Sequence, residues 1–351
     1  LGPGDILLDS VAGTITVVGG ESGITANGNV RLGSQAQDVI INADVDSGTG
    51  NITLDAGNDL VVNSAVTTGG AGTIYLTAGN QTTVGSQLTS DNGDILVDAS
   101  GDLTQTASIN STSGDVGLIA GGNVIQGSTG DITTGGDVLV EAGNDWTMAG
   151  DTVIAAGGGE VAGQAIAGDL TLGEINATNV SLTSGGSIID ANSGLMNITA
   201  DNLSLRAEGG LIGDHDNTNG TPGQNDNAID IAVATLAANA ESGIYVLESD
   251  ALTITTVAAV TVNVGSAVRV NFNSTTTNIG QTRTTTSMED LSTDTDGPIK
   301  LVSQAGSITV DGGSDSQGVS AAGSGDILLE AASDVIINAD VDSGTGNITL
   351  D

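Results

Sequence analysis

Three aspartates, Asp94, Asp115 and Asp137, recur at intervals of 21 and 22 residues, each directly after a glycine. Carboxylates repeated at the period of a stacked coil would lie within about 5 Å of one another. Like charges that close repel unless a cation intervenes, and Ca2+ is the ion such a column would take, because it accepts carboxylate and carbonyl oxygens in loose geometry. The competing reading needs no metal: an Asp after a corner glycine caps backbone N–H groups beside solvent. Residues 292–297, "STDTDG", place Asp294 and Asp296 in an alternating oxygen pattern before a glycine, as in the opening of a calcium loop. The later bidentate acid is missing, since Val302 to Gln304 occupy its place. Residues 214–227, "DHDNTNGTPGQNDN", gather Asp214, Asp216 and Asp226 with His215 and share that gap.

Catalysis is poorly served by the remaining residues. A polysaccharide lyase or hydrolase needs carboxylate pairs in a groove, or a base beside Ca2+, together with aromatics to stack on sugar rings. Arg31, Arg206, Arg269, Arg283, Lys300 and His215 are the whole basic set, and the chain has one Trp, two Tyr and one Phe. We therefore expect no enzyme, no catalytic residues and no cofactor other than calcium; a carbohydrate-active β-helix is the alternative. Thr-rich text such as "LTITTVAAVTV" raises a carbohydrate- or ice-binding face, but Thr suits the outward side of any strand and here the Thr columns are broken by Asn, Ser and Gly. Forty-three acids against five Lys and Arg give a net charge of −38. Such a surface repels phosphate backbones and anionic headgroups, so nucleic acid is excluded as a partner, and no membrane-spanning run is visible. The charge serves solubility, because rods of stacked strands stick edge to edge unless they repel. There is no cysteine.

The elements that must carry these residues follow from one eleven-residue phrase. "GNITLDAGNDL" at 50–60 returns at 72–82, 93–103, 114–124 and 136–146, with starts 22, 21, 21 and 22 residues apart. Its third column is Ile52, Ile74, Ile95, Val116 and Val138, its fifth is Leu54, Leu76, Val97, Leu118 and Val140, and its seventh is always Ala. Alternate apolar positions make a strand with one buried face. Gly57-Asn58, Gly79-Asn80 and Gly143-Asn144 follow as corners that tolerate positive φ. A second short β-branched run (60–63) and a third apolar mark (Val66, Leu88, Ile109) complete three strands in about 22 residues. This is one turn of an all-β, three-sided parallel β-solenoid, whose coils bury their apolar side only by stacking.

Along the chain, 1–160 reads as regular coils and 161–300 as irregular coils with excursions near 214–227 and 274–297. Regular coils resume over 301–351. The run 228–240 suits a short helix or a strand. Residues 334–351, "DVIINADVDSGTGNITLD", are identical to residues 38–55, 296 positions earlier. Two levels of repetition follow, a coil of about 22 residues and a module of about 300, or about 13 coils and roughly 60 Å. Both termini fall inside repeat phrases, so we expect each end to be met by another coil.

The phrases "GDILLDS", "NITLDAGNDLVVN", "GDVLVEAGNDW" and "LSLRAEGGLIGD" resemble the repeats of filamentous-haemagglutinin-like exoproteins and related giant bacterial surface adhesins. That resemblance implies a right-handed parallel β-helix serving as the structural shaft of a secreted fibre or cell-surface adhesin. Expected partners are further copies of the module, stacked end to end or joined covalently, and a host or neighbouring-cell surface.

Overall fold

The computed structural model describes residues 4–19, 23–214 and 227–351. It is all β, with no helix among the described residues, and its parallel strands recur about 22 residues apart in a β-solenoid of about 15 turns. One coil comprises Ile52–Ala56, Leu60–Val62 and Val66–Thr68. The next, Ile74–Ala78, Thr82–Val84 and Leu88–Ser90, pairs with it residue for residue. Ile52, Ile74, Ile95, Val116 and Val138 form one continuous, fully enclosed column. Each inward side chain rests on its copies above and below, which removes apolar surface that a single coil would leave in water. Backbone groups are satisfied the same way: Ile74 donates its N–H to Asp94 O at 3.0 Å, and Ile95 to Asp115 O at 2.9 Å.

The corner glycines act differently from the expectation. Gly57, Gly79 and Gly143 do not adopt positive φ; that geometry falls at Gly48 and Gly70, in the third corner of the coil. A Cβ on Gly79 would come within 2.3 Å of Gly57 O, and one on Gly143 within 2.0 Å of Gly121 O. These corners need glycine because the coil below approaches too closely for a side chain.

The chain forms two compact units. The first contains residues 1–145, 152–160 and 261–283; the second contains 146–151, 161–260 and 284–351. The first is built of regular coils plus a returning segment described below.

Coils in the second unit are unequal. The Ala-rich run that suits either state is a 12-residue strand, Ile229–Ala240, because its residues stack in register on Ile198–Ala207. The strand Gly243–Glu248 begins a new phrase after Glu241 and Ser242 alone, with no short strands between. Its first residues stack on Leu211–Ile212 rather than on the preceding long strand. Ile299–Ser303, Ile327–Ala331 and Ile348–Leu350 follow on that ladder. Leu291–Thr293, Gln317–Ala321 and Asp340–Asp342 continue the ladder of Ile229–Ala240. Within this unit the phrase has moved to the next face of the coil.

Of the two expected excursions, the stretch after Asp214 lies mostly outside the described residues; at its edges Asp214 N–H donates to Asn227 O at 2.8 Å. The second excursion begins upstream of 274–297 and ends inside it. Leu291–Thr293 is already back in a parallel ladder, whereas Val268–Val270 pairs antiparallel with Thr276–Asn278. The Val/Thr-rich text that ends at Val264 is β there, as Thr261–Val264 shows, but composition does not distinguish a coil strand from a hairpin laid over the coils.

Candidate functional site

Asp94, Asp115 and Asp137 do lie in one column of the first unit, and each carboxylate accepts a backbone N–H from the coil above. Asp115 N–H donates to Asp94 Oδ1 at 3.0 Å, Asp137 N–H to Asp115 Oδ1 at 2.8 Å and Glu160 N–H to Asp137 Oδ1 at 2.9 Å. Asn29 and Asn51 do the same work lower in the column, accepting from Asn51 N–H at 2.9 Å and Thr73 N–H at 3.0 Å. An amide oxygen therefore serves as well as a carboxylate, and the column requires an acceptor rather than a charge. Burial, with the like charges of Asp94 and Asp137, pushes the Asp115 carboxyl up to about 6 against the opposing pull of the Asp137 N–H.

The other acids are dispersed in the second unit. Asp294 accepts from Asn239 Nδ2 at 3.1 Å, and Asp296 Oδ1 from Ser324 N–H at 2.9 Å. Asp216, with His215 and Asp226, lies outside the described residues. Among the described residues no group of three or more His, Asp or Glu is arranged to hold a metal ion.

What composition did not reveal is a strap. Residues 261–283 cross the outward side of the long strands of the first unit. The outward column in register there is Arg31, Thr53, Tyr75, Leu96, Gly117 and Leu139, all buried. Val262, Val264, Ala267 and Val270 of the strap are fully enclosed. A Cβ on Gly117 would lie 2.7 Å from Leu96 Cδ1 and 3.3 Å from Val264, so this glycine makes room for the strap's valine. Strap N–H groups find coil acceptors: Ser266 on Asp94 Oδ2 at 2.7 Å, Val270 on Thr53 Oγ1 at 2.8 Å and Thr261 on Glu160 Oε2 at 3.2 Å. Arg283 pairs with Glu141 at 2.5 Å and Arg269 with Asp55 at 3.2 Å. The available signal was Tyr75, Leu96 and Leu139, large apolar side chains in a column that alternation places outside.

At the strap's tip a hollow of about 370 Å³ opens beside Arg31 and Phe272. Arg31 is 2% exposed and donates to Asp55 Oδ2 at 2.5 Å and to Val270 O at 2.8 Å. Its guanidinium lies 4.0 Å from the Phe272 ring centroid, a cation–π distance, and its Nε has no hydrogen-bond partner. Gln35 Nε2 donates to Asp9 Oδ2 at 2.9 Å on the same wall. Two of the five Lys and Arg residues and the one Phe thus line a single hollow.

Comparison with protein-family models, with curated proteins and with solved structures finds no match for this chain.

Proposed function

We propose that this chain is a structural shaft segment of a repetitive extracellular fibre or cell-surface adhesin, whose work is length and stiffness rather than catalysis. The observation that carries the reading is the identical eighteen-residue block at 38–55 and 334–351, folded both times as consecutive strands of a coil. A sequence that repeats at both the coil and the module level supplies a stack that extends by repetition alone. The strap supports the same role, since one segment bonded to Glu160, Asp94 and Thr53 ties successive coils of its unit and opposes their separation. The carboxylates suggested by spacing are engaged as backbone caps, which favours a mechanical over a chemical use.

Electron microscopy of the native material tests this reading. Thin, uniform fibres with an axial repeat of roughly 50–60 Å are expected. Isolated short rods with closed ends that depolymerise a polysaccharide would overturn it.

A further inference from the structure

We propose that Asn273, at the tip of the strap's hairpin, is a glycosylation site whose side-chain amide carries an N-linked sugar. Asn-x-Ser/Thr is the acceptor triplet for that modification, and residues 273–275 read Asn-Ser-Thr. The triplet alone decides nothing in a chain this rich in Asn, Ser and Thr, because it recurs along the coils. What singles out Asn273 is the state of its nitrogen. In the first unit the Nδ2 of Asn51, Asn80 and Asn110 donates to Asn29 Oδ1 at 3.1 Å, Asp59 Oδ1 at 2.7 Å and Ser108 Oγ at 3.2 Å. In the second unit Asn176, Asn202 and Asn347 donate likewise to Glu174, Asn179 and Asp326, and Asn197 is fully buried. Asn179 is half-buried within the strand Asn179–Ser184. Asn273 is exposed, and its Nδ2 has no partner among the described residues.

The hairpin tip holds that amide in a fixed pose. Asn271 N–H donates to Thr275 O at 2.8 Å and Ser274 N–H to Asn271 O at 3.0 Å, while Ser274 takes a φ of 63°. Within this turn Asn273 Oδ1 accepts both the Thr275 N–H at 3.1 Å and the Thr275 hydroxyl at 2.6 Å, an Asx turn. Thr275 Oγ1 in turn accepts from Asn271 Nδ2 at 3.1 Å, so its own proton is left for Asn273. With the oxygen occupied, the amide offers its nitrogen to an incoming reagent. A carboxamide nitrogen is a weak nucleophile because its lone pair is shared with the carbonyl. As it attacks and loses a proton, charge gathers on Oδ1, where two donors already sit. The co-reactant is a sugar esterified at its anomeric carbon to phosphate and delivered by a glycosyltransferase. Nδ2 bonds to the anomeric carbon, the bond from that carbon to the phosphate oxygen breaks with its electron pair leaving on phosphate, and the amide proton passes to a base of the transferase. The next residues, Thr276–Asn278, are exposed and form one side of a two-stranded sheet with no further strand beside them. A hydrated sugar at the tip would shield this edge from pairing with another chain.

The site goes beyond the shaft reading and does not depend on it, since a chain that forms no fibre can still carry the sugar. Trypsin, cutting after Arg269 and Arg283, releases residues 270–283 from the native protein. Mass spectrometry with electron-transfer fragmentation is expected to find a sugar on Asn273 in this peptide. Produced in the same cells, Asn273→Gln and Thr275→Ala should lose the sugar, and Thr275→Ser, which keeps the hydroxyl, should retain it. Thermal melts matching that of the native protein show that these variants fold. Asn51 and Asn80, whose nitrogens are engaged, should stay bare. An unmodified 270–283 peptide, a sugar on the hydroxyls of Thr275, Thr276 or Thr277 instead, a sugar retained in Thr275→Ala, or sugars on Asn51 and Asn80 as well would overturn the assignment.

Discussion

At the scale of the residue, the fold rests on columns in which each side chain touches its own copies. Ile95 is enclosed between Ile74 below and Val116 above. Replacing it with Asp buries a charge between two apolar neighbours with no partner available, so Ile95→Asp should cost several kcal/mol in a urea or thermal melt. Asp98, three residues on, is half-buried and its carboxyl is raised by that burial. Asp98→Asn removes a charge the site tolerates rather than uses, and stability should change by less than about 0.5 kcal/mol.

Glu248 in the second unit is the more informative acid. It is fully buried, with Oε2 accepting Val233 N–H at 3.1 Å and Oε1 accepting Asp250 N–H at 3.1 Å. Burial dominates over these bonds and, with the Asp250 charge adding, pushes the carboxyl from 4.5 to about 7. Between those two values the unfolded chain has released a proton that the folded chain still holds, so stability falls as pH rises through the window. The loss is up to about 3 kcal/mol for a shift of this size. Glu248→Gln should flatten the melting profile between pH 4.5 and 7 and raise the melting temperature at pH 7.5. A wild-type slope retained in the variant would place that pH dependence on other carboxyls.

At the scale of the element, the strap and the long strands need each other. Val264 packs over Gly117 beside Leu96, and the ion pairs with Asp55 and Glu141 hold the strap on either side of this apolar contact. Val264→Asp would put a carboxylate against Leu96 in a dry contact and should release the segment. Limited proteolysis is then expected to cut within 261–283, with hydrogen exchange accelerating across Leu96 and Leu139, while the inward columns stay protected because their neighbours are coils. Loss of only one ion pair, as in Arg283→Ala, should have a smaller effect, since Arg283 is partly exposed and screened by solvent.

At the scale of the whole molecule, a net charge of −38 makes self-repulsion the dominant electrostatic term. Added NaCl should raise the melting temperature by screening it. Chelators should leave the melt unchanged at matched ionic strength, because the Asp94, Asp115 and Asp137 oxygens already accept backbone N–H groups. A fall specific to chelation would assign a divalent ion to that column.

The repeat, the strand period and the identity of the inward columns were legible in the sequence, because a coil that stacks on its copies must carry the same residue type at the same interval. Ile52, Ile74 and Ile95 could be placed inside from spacing alone. Capping by the Asp column was legible as one of two readings, and the structure adds that Asn29 and Asn51 accept backbone N–H groups in the same way. The strap was not legible, since local alternation reports that Leu96 and Tyr75 point outward but not that a segment 165 or more positions away covers them. For the same reason the hollow at its tip, with Arg31 and Phe272 separated by 241 positions, leaves no motif in the sequence. The duplicated block makes the division plain. Ile41, Ile52 and Leu54 are 0% exposed, while their counterparts Ile337, Ile348 and Leu350 are 39%, 44% and 47% exposed. Identical sequence sets the inward face of a strand in both copies, but burial is conferred by the coil stacked upon it, and that is a property of tertiary structure.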